Sequence, residues 1–197
     1  MPRDGLRSSL PSSFDTNNSA AAPHSWQQFL RRPVDTDAVA MHRLVAETKV
    51  LDLNSTYAYL LMATDFADTC IVAERDGSLC GLITGYHPPT RPEVLFVWQV
   101  AVDGSVQGTG LAAAMLDTLT HRVRQDRHGH PITVEATVAP SNSASRALFG
   151  AFARRHGVPM TEHPRFVTAH LVADQSHGAD QIHEDEPILR IGPILAA

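Results

Sequence analysis

The sequence predicts an α/β protein with a mixed, mostly antiparallel central sheet and helices on both faces of that sheet. Runs of β-forming residues alternate with runs of helical periodicity in the order β-α-α-β-β-β-α-β-α-β-β. An Asp76-Gly77 pair between two apolar runs predicts an antiparallel hairpin in the middle of this order. Two strand–helix pairs then follow, and a glycine-rich loop joins the first of them.

The chain begins with a segment that we expect to be disordered, because residues 1–25 are rich in Ser, Pro, Ala, Asn and Asp and contain few large apolar residues. Such a composition cannot bury enough surface to offset the entropy that is lost on ordering. Residues 26–197 are expected to form a single domain, which is long enough for a sizeable core. Its first element is predicted to be a short strand over residues 26–32.

Two helices are expected between the first strand and the hairpin. Asp35 or Thr36 can cap a helix that ends near Thr48, since a short polar side chain accepts hydrogen bonds from the free N–H groups of a first turn. Asn54 or Ser55 can cap a second helix in the same way. The side chains expected on the inner side of the first helix are Val39, Leu44 and Val45.

The hairpin is expected to pair residues 69–74 with residues 79–86. If its turn has two residues, the numbers of facing residues sum to 153, so Cys70 lies opposite Ile83 rather than Cys80. A disulfide between the two cysteines is therefore not expected, and both are interpreted as buried thiols. A cysteine nucleophile is not expected either, because no histidine lies nearby in sequence and neither cysteine begins a helix.

A strand, a glycine-rich loop and a helix follow the hairpin. Residues 95–102 are mainly β-forming, while residues 107–112 read Gln-Gly-Thr-Gly-Leu-Ala. Glycines let backbone N–H groups approach an anion closely, and the N-terminus of the following helix adds partial positive charge. This arrangement predicts a phosphate-binding loop, with an ordinary strand-to-helix turn as the alternative. The helix has apolar residues at Leu111, Met115, Leu119 and Val123.

A second strand and helix follow downstream. Residues 132–138 alternate as a strand, Pro140 ends it because proline cannot donate to a sheet ladder, and Asn142 can cap the next helix. Two more strands are expected near the C-terminus, at residues 166–172 and 188–195. The polar segment between them ends in three consecutive acidic residues.

Composition and charge argue against several classes of function. The net charge of −5 and the lack of a long basic cluster indicate that nucleic acid is not a partner. No apolar run approaches the roughly 20 residues needed to cross a bilayer. The N-terminus has no signal-peptide core, so we expect no membrane partner and a cytoplasmic location. A metal site is not expected, because the C-terminal histidines lack the short paired spacing of zinc ligands: His163, His170, His177 and His183.

The glycine loop and the second strand–helix unit together resemble the GCN5-related N-acetyltransferases. The loop matches the Q-x-x-G-x-G/A pattern with which that superfamily holds the pyrophosphate of acetyl-coenzyme A. Asn142, Ser145 and Phe149 stand at the spacing of its second cofactor segment. The resemblance implies the fold of that superfamily and acetyl-CoA as co-substrate. The cofactor-binding residues that it implies are Val100, Val102, Gln107, Gly108, Thr109, Gly110, Leu111, Ala112, Asn142, Ser145 and Phe149.

Four segments narrow the resemblance to the L-2,4-diaminobutyrate acetyltransferases of ectoine biosynthesis. They read LDLNSTYAYLL from Leu51, TCIVAE from Thr69, FVWQVAV from Phe96 and APSNSAS from Ala139. The resemblance spans about residues 29–194 and implies transfer of an acetyl group from acetyl-CoA to the 4-amino group of a small diamine, 2,4-diaminobutyrate. It also implies a homodimer, and it makes residues 26–197 an acetyltransferase domain.

A pocket that selects this diamine needs carboxylates for the ammonium group that does not react and a donor for the substrate carboxylate. Asp52 stands just before a helix cap and is a candidate for the ammonium, with helix capping or solvation as the alternative. Trp98 could form a wall of the pocket and donate its indole N–H to a carboxylate, or it could be a core tryptophan. Tyr57, one helical turn from Leu53, could line the same pocket or pack in the core.

The His-Glu-Asp-Glu segment that ends at Glu186 matches an H-x-x-E pattern associated with the acceptor site of this family. Glu186 could bind an ammonium and His183 could orient it, with a solvated acidic loop as the alternative. The attacking amine must be neutral, so a base is required: Glu186, His183, Glu162 or an ordered water. The N–H of Val100 is the expected donor to the oxyanion. Phe149 replaces a tyrosine that often assists thiolate departure in the superfamily, and it has no proton to donate.

Two alternatives remain open from the sequence. One is an acetyltransferase for another small amine or for a protein N-terminus, and a peptide acceptor would need an open groove. The other is a non-catalytic domain that binds coenzyme A as a sensor, which the missing tyrosine favours slightly. Measuring acetyl transfer from acetyl-CoA to a panel of diamines distinguishes the diaminobutyrate acetyltransferase from both alternatives.

We expect residues 1–25 to be dispensable, because their composition predicts no packed structure. A chain that starts near Trp26 should keep both its activity and its melting temperature. Enzyme assays and thermal unfolding of the full-length and shortened chains check this. A large loss in either quantity would mean that the segment docks on the domain or on a second subunit.

Overall fold

The computed structural model describes residues 23–49, 51–167 and 184–195. Its strands and α-helices are, in chain order, β1 (Leu30–Arg31), α1 (Ala38–Thr48), α2 (Thr56–Ala63), β2 (Ile71–Arg75), β3 (Ser78–Tyr86), β4 (Val94–Val102), α3 (Leu111–Asp126), β5 (Ile132–Thr137), α4 (Ser143–Arg155), β6 (Met160–Phe166) and β7 (Glu186–Ile194). Short 3₁₀ turns connect several of these elements.

The described strands form one sheet in the order β1-β2-β3-β4-β5-β7-β6. Neighbouring strands are antiparallel except β4 and β5, which are parallel. One apolar core packs the sheet against α3 and α4, and a second packs it against α1 and α2. The predicted fold class and the predicted order of strands and helices are therefore confirmed. None of the helices in the described ranges is long and apolar enough to span a membrane.

Two predicted helix caps and one predicted apolar face are confirmed. Ser55 accepts a hydrogen bond from the Ala58 N–H at 3.2 Å and begins α2. Asn142 accepts one from the Ser145 N–H at 3.0 Å and begins α4. The apolar side chains predicted for α3 are all buried: Leu111, Met115, Leu119 and Val123.

The prediction of a first strand over residues 26–32 is wrong for most of that range. A 3₁₀ helix covers Pro23–Phe29, and only Leu30–Arg31 pair with β2. Trp26 explains the difference, because its ring is buried in the core that contains α3 and packs edge-on against Phe29. Burial of this large ring overrides the β-propensity of the segment.

The start of α1 also differs from the prediction. The helix begins at Ala38, after a 3₁₀ turn over Asp35–Asp37, so neither Asp35 nor Thr36 caps it. Val39 is 60% exposed rather than on the inner side, because five residues separate it from Leu44 and turn its side chain about 140° around the helix axis. The buried residues of α1 are Ala38, Met41, Leu44 and Val45.

The hairpin of β2 and β3 has the predicted two-residue turn, and the pairs next to the turn have the predicted register. Cys80 then forms a bulge, so residues beyond it shift by one position and Ile83 pairs with Ile71. The expectation that Cys70 lies opposite Ile83 is therefore wrong by one residue. Cys70 and Cys80 are both buried free thiols.

The final strand, β7, confirms the prediction for residues 188–195 to within a few residues. The strand predicted at residues 166–172 overlaps β6 only at Phe166, and residues 168–172 lie outside the described residues. All seven residues of β6 are exposed. An edge strand of this kind has no alternation of apolar and polar residues from which it could be predicted.

Arg31 connects β1 to the turn that precedes α1 and to β2. Its guanidinium donates to both carboxylate oxygens of Asp37, at 2.6 and 2.8 Å, and to Glu74 at 2.8 Å. Asp37 also accepts the Val34 N–H at 2.8 Å. Burial acts to raise the pKa of Asp37, but the hydrogen bonds from Arg31 and Val34 outweigh it, so the pKa of this carboxyl is lowered. The charged form of Asp37 therefore stabilises the fold.

Asp37→Asn should lower the free energy of unfolding at neutral pH by about 1.5–3 kcal/mol, the usual contribution of a hydrogen bond to a charged group. Because the pKa of Asp37 is depressed in the folded state, this contribution is present above the ordinary aspartate pKa of about 3.9. It is lost as the pH falls through the lowered pKa. Denaturant unfolding from neutral to acidic pH measures both effects.

The matched control is Asp65→Asn, which removes the same charge at an exposed turn position. An equal stability loss in the two variants, or a loss in Asp37→Asn that does not change with pH, would contradict the assignment.

Candidate functional site

A gap between β4 and β5 forms the centre of the candidate site. Their parallel pairing covers only residues 94–96 of β4 and 133–135 of β5. From Val97 onward β4 keeps its pairing with β3 alone, while β5 continues to Thr137. The second half of β4 therefore presents an edge that no described strand covers.

A bulge at Trp98 marks the point where this gap opens. Gln99 and Val97 pair with consecutive residues of β3, so Trp98 between them is an extra residue on β4. A bulge bends a strand and increases its twist, which turns β4 away from β5. Gly85 lies opposite, where a Cβ atom would be 2.7 Å from the Phe96 carbonyl oxygen. The bulge therefore requires a residue without a side chain on β3.

The uncovered edge of β4 presents backbone groups to the gap. The Asp103 N–H donates to the Cys80 carbonyl on β3 at 3.0 Å. Because successive N–H groups point to opposite sides of a strand, the N–H groups of Val100 and Val102 point away from β3. The Gln107 side-chain amide donates to the Val102 carbonyl at 3.1 Å from this other side. Val100 and Val102 thus offer donors to the gap.

The glycine loop at residues 107–110 leads from this edge into α3. None of the hydrogen bonds within the described ranges uses the N–H of Gly108, Gly110, Leu111 or Ala112. Gly108 and Gly110 have φ angles of 76° and 85°, and a Cβ on either would meet open space. The loop therefore offers free donors and room for an anion at the positive end of the α3 dipole.

Trp26 and Thr109 fix the conformation of this loop. The indole N–H of Trp26 donates to the Thr109 carbonyl at 3.3 Å, and the ring is 3% exposed. The Thr109 hydroxyl donates to the Val106 carbonyl at 2.6 Å. A carbonyl bonded to a buried ring is held on the protein side of the loop, so it does not compete with the free N–H groups for an anion.

The second predicted cofactor segment follows β5. Asn142 caps α4, because its side-chain oxygen accepts a hydrogen bond from the Ser145 N–H. Ser145 itself is half-buried. Phe149 is 2% exposed and packs in the core that contains α3. No hydroxyl is available at that position, so Phe149 supplies packing but no proton.

The segment that connects α1 to α2 carries Asp52 and is bonded to β4. Gln99 donates its side-chain N–H to the Asp52 carbonyl at 2.8 Å, and the Tyr59 hydroxyl donates to the Gln99 side-chain oxygen at 3.0 Å. These bonds bring Asp52 beside the bulge at Trp98. Trp98 is 39% exposed and Tyr57 is 67% exposed, so neither is a core residue. Ser55 rather than Asp52 caps α2.

Glu186 begins β7 beside the end of β5. It is half-buried and accepts a hydrogen bond from the Thr137 hydroxyl at 2.9 Å. Glu184 accepts the Ser141 N–H at 3.2 Å, so the acidic segment is attached to the connection between β5 and α4. His183 lies outside the described residues, and its role stays a prediction.

Glu162 is not brought together with the other predicted acceptor residues. It lies on β6, which β7 and β5 separate from β4. Its carboxylate forms an ion pair with Arg146 of α4. By strand order, Glu186 on β7 lies one strand closer to the gap than Glu162 on β6.

Sequence reasoning missed two buried polar residues that shape the gap. Glu135 of β5 is 1% exposed; Arg91 donates to both of its oxygens, at 2.8 and 2.6 Å, and Arg190 lies 3.5 Å away. It pairs with Phe96, the last residue of β4 that pairs with β5. The other is Gln99. The available signal was the same for both, namely one charged or amide side chain inside a strand that is otherwise made of apolar residues and threonine.

The cysteines and the described acidic and histidine residues add no further chemistry. Burial raises the pKa of the Cys70 thiol to about 11, against smaller opposing effects of Gly85 and Arg122. Burial also raises the pKa of Cys80. Both thiols are therefore protonated at neutral pH and poor nucleophiles. In the described part of the chain, no group of three His, Cys, Asp or Glu side chains is placed to hold a metal ion.

Comparisons with known proteins point to one family. The model of the acetyltransferase (GNAT) family matches residues 36–153. A protein named L-2,4-diaminobutyric acid acetyltransferase from Streptomyces coelicolor is 44% identical over 167 residues, which cover 84% of this chain and 92% of that protein. A protein of the same name from Bordetella parapertussis is 41% identical over 192 residues, which cover 95% and 97%.

A solved structure agrees with these sequences. It is that of the diaminobutyrate acetyltransferase EctA from Paenibacillus lautus, in complex with its substrate L-2,4-diaminobutyric acid and coenzyme A. The two chains superpose with a TM-score of 0.73 and are 39% identical. The match covers 85% of this chain and 96% of that one.

Proposed function

The chain belongs to the acetyltransferase (GNAT) family and, within it, to the L-2,4-diaminobutyric acid acetyltransferases, and from this we propose that it transfers the acetyl group of acetyl-CoA to the 4-amino group of L-2,4-diaminobutyrate. The product is 4-acetamido-2-aminobutanoate, and the reaction is the acetylation step of ectoine biosynthesis. One structural observation supports this best. The uncovered edge of β4 meets the glycine loop at its end and the Asp52 segment beside its bulge.

The cofactor is proposed to lie along the gap. The free N–H groups of the glycine loop suit the pyrophosphate, because oriented N–H groups at a helix N-terminus bind such anions. The edge of β4 suits the arm of coenzyme A that carries two amides, because Val100 and Val102 present strand-like donors and acceptors to the gap. The acetyl group then stands near Val100. Asn142, Ser145 and Phe149 are proposed to flank the cofactor from the α4 side.

The chemistry requires a neutral amine. The pKa of an alkyl ammonium is close to that of lysine, about 10.4, so a base must accept its proton. Glu186 is the proposed base, directly or through a water, because Thr137 holds it at the far end of β5. His183 is the second candidate. The predicted role of Glu162 is the least supported, since it is paired with Arg146.

Bond formation and cleavage then follow. The amine nitrogen bonds to the thioester carbon, and the oxyanion accepts a hydrogen bond from the Val100 N–H. The carbon–sulfur bond breaks and its electron pair leaves on sulfur, while the attacking nitrogen loses its second proton to a solvent water as the amide forms. Coenzyme A is proposed to leave as a thiolate, because Phe149 cannot donate a proton.

The acceptor pocket is proposed to use Asp52 and Glu186 for ammonium groups, and Trp98 and Tyr57 as walls. The exposed indole of Trp98 has an N–H available for the substrate carboxylate, since no hydrogen bond in the described ranges uses it. Carboxylates in this pocket suit the ammonium groups of a small diamine.

We also propose that the protein acts in the cytoplasm as a homodimer. The reaction needs a supply of acetyl-CoA, which supports the location. Strand β6 is an exposed edge that includes Met160 and Phe166, each more than a third exposed, and such an edge suits pairing with a second copy.

Assays with acetyl-CoA and a panel of diamines test the proposed function. We expect the highest kcat/KM for diaminobutyrate, and NMR of the product should show the 4-acetamido isomer because the other amine and the carboxylate are bound. Mainly 2-acetamido product would contradict this orientation of the substrate. Cofactor binding without turnover of any diamine would support the sensor alternative.

Gly108→Val and Gly110→Val should each weaken acetyl-CoA binding at least about tenfold. A β-branched residue at positive φ is strained by about 1–3 kcal/mol, and its side chain would fill the space beside the free N–H groups. Calorimetry measures the affinity. Gly104→Val is the matched control, since Gly104 lies in the same segment without a positive φ and has equal open space. Unchanged affinity in both loop variants would refute this cofactor site.

Asp52→Asn and Glu186→Gln should each lower kcat/KM for diaminobutyrate if these carboxylates bind ammonium groups. A hydrogen bond to a charged group contributes about 1.5–3 kcal/mol, which corresponds to about 10- to 150-fold. Affinity for acetyl-CoA should hardly change. Loss of a base would instead lower kcat at saturating substrate and shift the pH profile.

Glu184→Gln is the control for these two variants, because Glu184 is an exposed neighbour that bonds to a backbone N–H. Unaltered diaminobutyrate kinetics in both Asp52→Asn and Glu186→Gln would show that the acceptor assignment is wrong.

A further inference from the structure

Tyr59 and Gln99 form a buried link between the Asp52 segment and β4. Tyr59 is 1% exposed and Gln99 is 5% exposed, so neither forms the surface of an open pocket. The Tyr59 hydroxyl bonds to the Gln99 amide oxygen, and the Gln99 amide nitrogen bonds to the Asp52 carbonyl. Tyr59 is further held by an edge-on contact with the His42 ring, at 5.9 Å between centroids.

The chemistry of the three groups allows only one orientation of this link. The Asp52 carbonyl can only accept, so the Gln99 amide must turn its NH₂ group toward it. The Gln99 oxygen then faces Tyr59, whose hydroxyl must donate. If the amide were reversed, two acceptor oxygens would face each other in a buried place, which is unfavourable. The Asp52 carbonyl therefore sets the orientation of the Gln99 amide, and Tyr59 stabilises that orientation by donating to the Gln99 oxygen.

The Asp52 segment has few other attachments, the main one being Leu51, which packs against the second core. Residues 51–55 contain neither helix nor strand. Among hydrogen bonds of the described residues, the bond to Gln99 is the only one that joins this segment to an element other than the adjoining α2. In hydrogen bonding, Asp52 is therefore joined to β4 through the Gln99 amide alone among the described residues.

We propose that Tyr59 and Gln99 are positioning residues that set the distance from Asp52 to the reacting thioester, and so select the chain length of the diamine. This inference rests on the proposed function. Gln99 is the direct neighbour of Val100, whose N–H faces the gap, so one rigid strand fixes both ends of the acceptor. A diamine that is one methylene longer would place its amine roughly 1 Å away, a displacement that can strongly reduce the rate.

The test compares Tyr59→Phe, which removes only the hydroxyl, with Gln99→Met, which keeps the length but removes the amide. Each should raise KM for diaminobutyrate about 2- to 10-fold, the effect of losing one neutral hydrogen bond, with KM for acetyl-CoA unchanged. The ratio of kcat/KM for diaminobutyrate to that for ornithine, which is one methylene longer, should fall. The double variant should be no worse than Gln99→Met alone, because Tyr59 acts through Gln99.

Tyr86→Phe is the matched control. Tyr86 is half-buried on β3, its ring packs against Phe96, and its hydroxyl makes no hydrogen bond within the described ranges. This variant should keep both KM values and the ratio of kcat/KM values. Thermal unfolding of all variants shows whether any change reflects general loss of stability.

Backbone order parameters of residues 51–55, measured by NMR without substrate, separate this inference from the proposed function. They should fall in Tyr59→Phe and Gln99→Met and stay unchanged in Tyr86→Phe. If the wild-type protein does not acetylate diaminobutyrate, the proposed function fails, and with it the role in substrate selection. If the wild-type protein is active but the order parameters or the ratio of kcat/KM values stay unchanged in both variants, only the positioning role is refuted.

Discussion

The arrangement of the site depends on the point at which β4 and β5 stop pairing. A parallel ladder satisfies the backbone N–H and C=O groups of both strands, but here it ends after Phe96. The bulge at Trp98 turns β4 aside, and Gly85 makes the bulge possible because any side chain there would strike the backbone. Glu135, held by arginines, lies at the closed end of the gap. An edge left open in this way is suited to a ligand that carries its own amides.

Strand β4 sets the positions of the binding regions for both substrates. At its end, the Val102 carbonyl holds the glycine loop through Gln107, and near its bulge Gln99 holds the Asp52 segment. Val100 stands between these two attachments. Because a strand rises about 3.3 Å per residue and is stiffened by its neighbour β3, the separation of the two binding regions is fixed by the backbone. Proximity and orientation of reactants are among the larger contributions to catalysis. A rigid β4 that fixes the distance between the two substrates therefore has a direct effect on the rate.

Local signals in the sequence predicted most of the fold but less of the site. Helix caps at Ser55 and Asn142 and the glycine loop depend on neighbouring residues, and each was predictable for that reason. The 3₁₀ turn at Trp26 depends on burial of a ring against distant α3, which local propensity does not contain. Strand β6 carries no apolar alternation because all of it is exposed. Prediction of individual residues fails where tertiary packing decides the conformation.

The same reasoning explains which parts of the site were predicted. Asp52 and Trp98 were identified through family resemblance, and the structure places their segments side by side through Gln99. Nothing local indicates that Gln99 connects them, because the link joins residues that are 47 positions apart. Glu162 illustrates the opposite case, since only the strand order reveals that β5 and β7 separate it from β4.

Amide hydrogen exchange along β4, measured with and without coenzyme A, tests most directly whether the cofactor pairs with the uncovered edge. Binding should slow exchange at the N–H groups of Val100 and Val102, which point into the gap. Exchange at Asp103, whose N–H is bonded to β3, should change little. Saturation with coenzyme A that leaves exchange at Val100 and Val102 unchanged would contradict binding in the gap between β4 and β5.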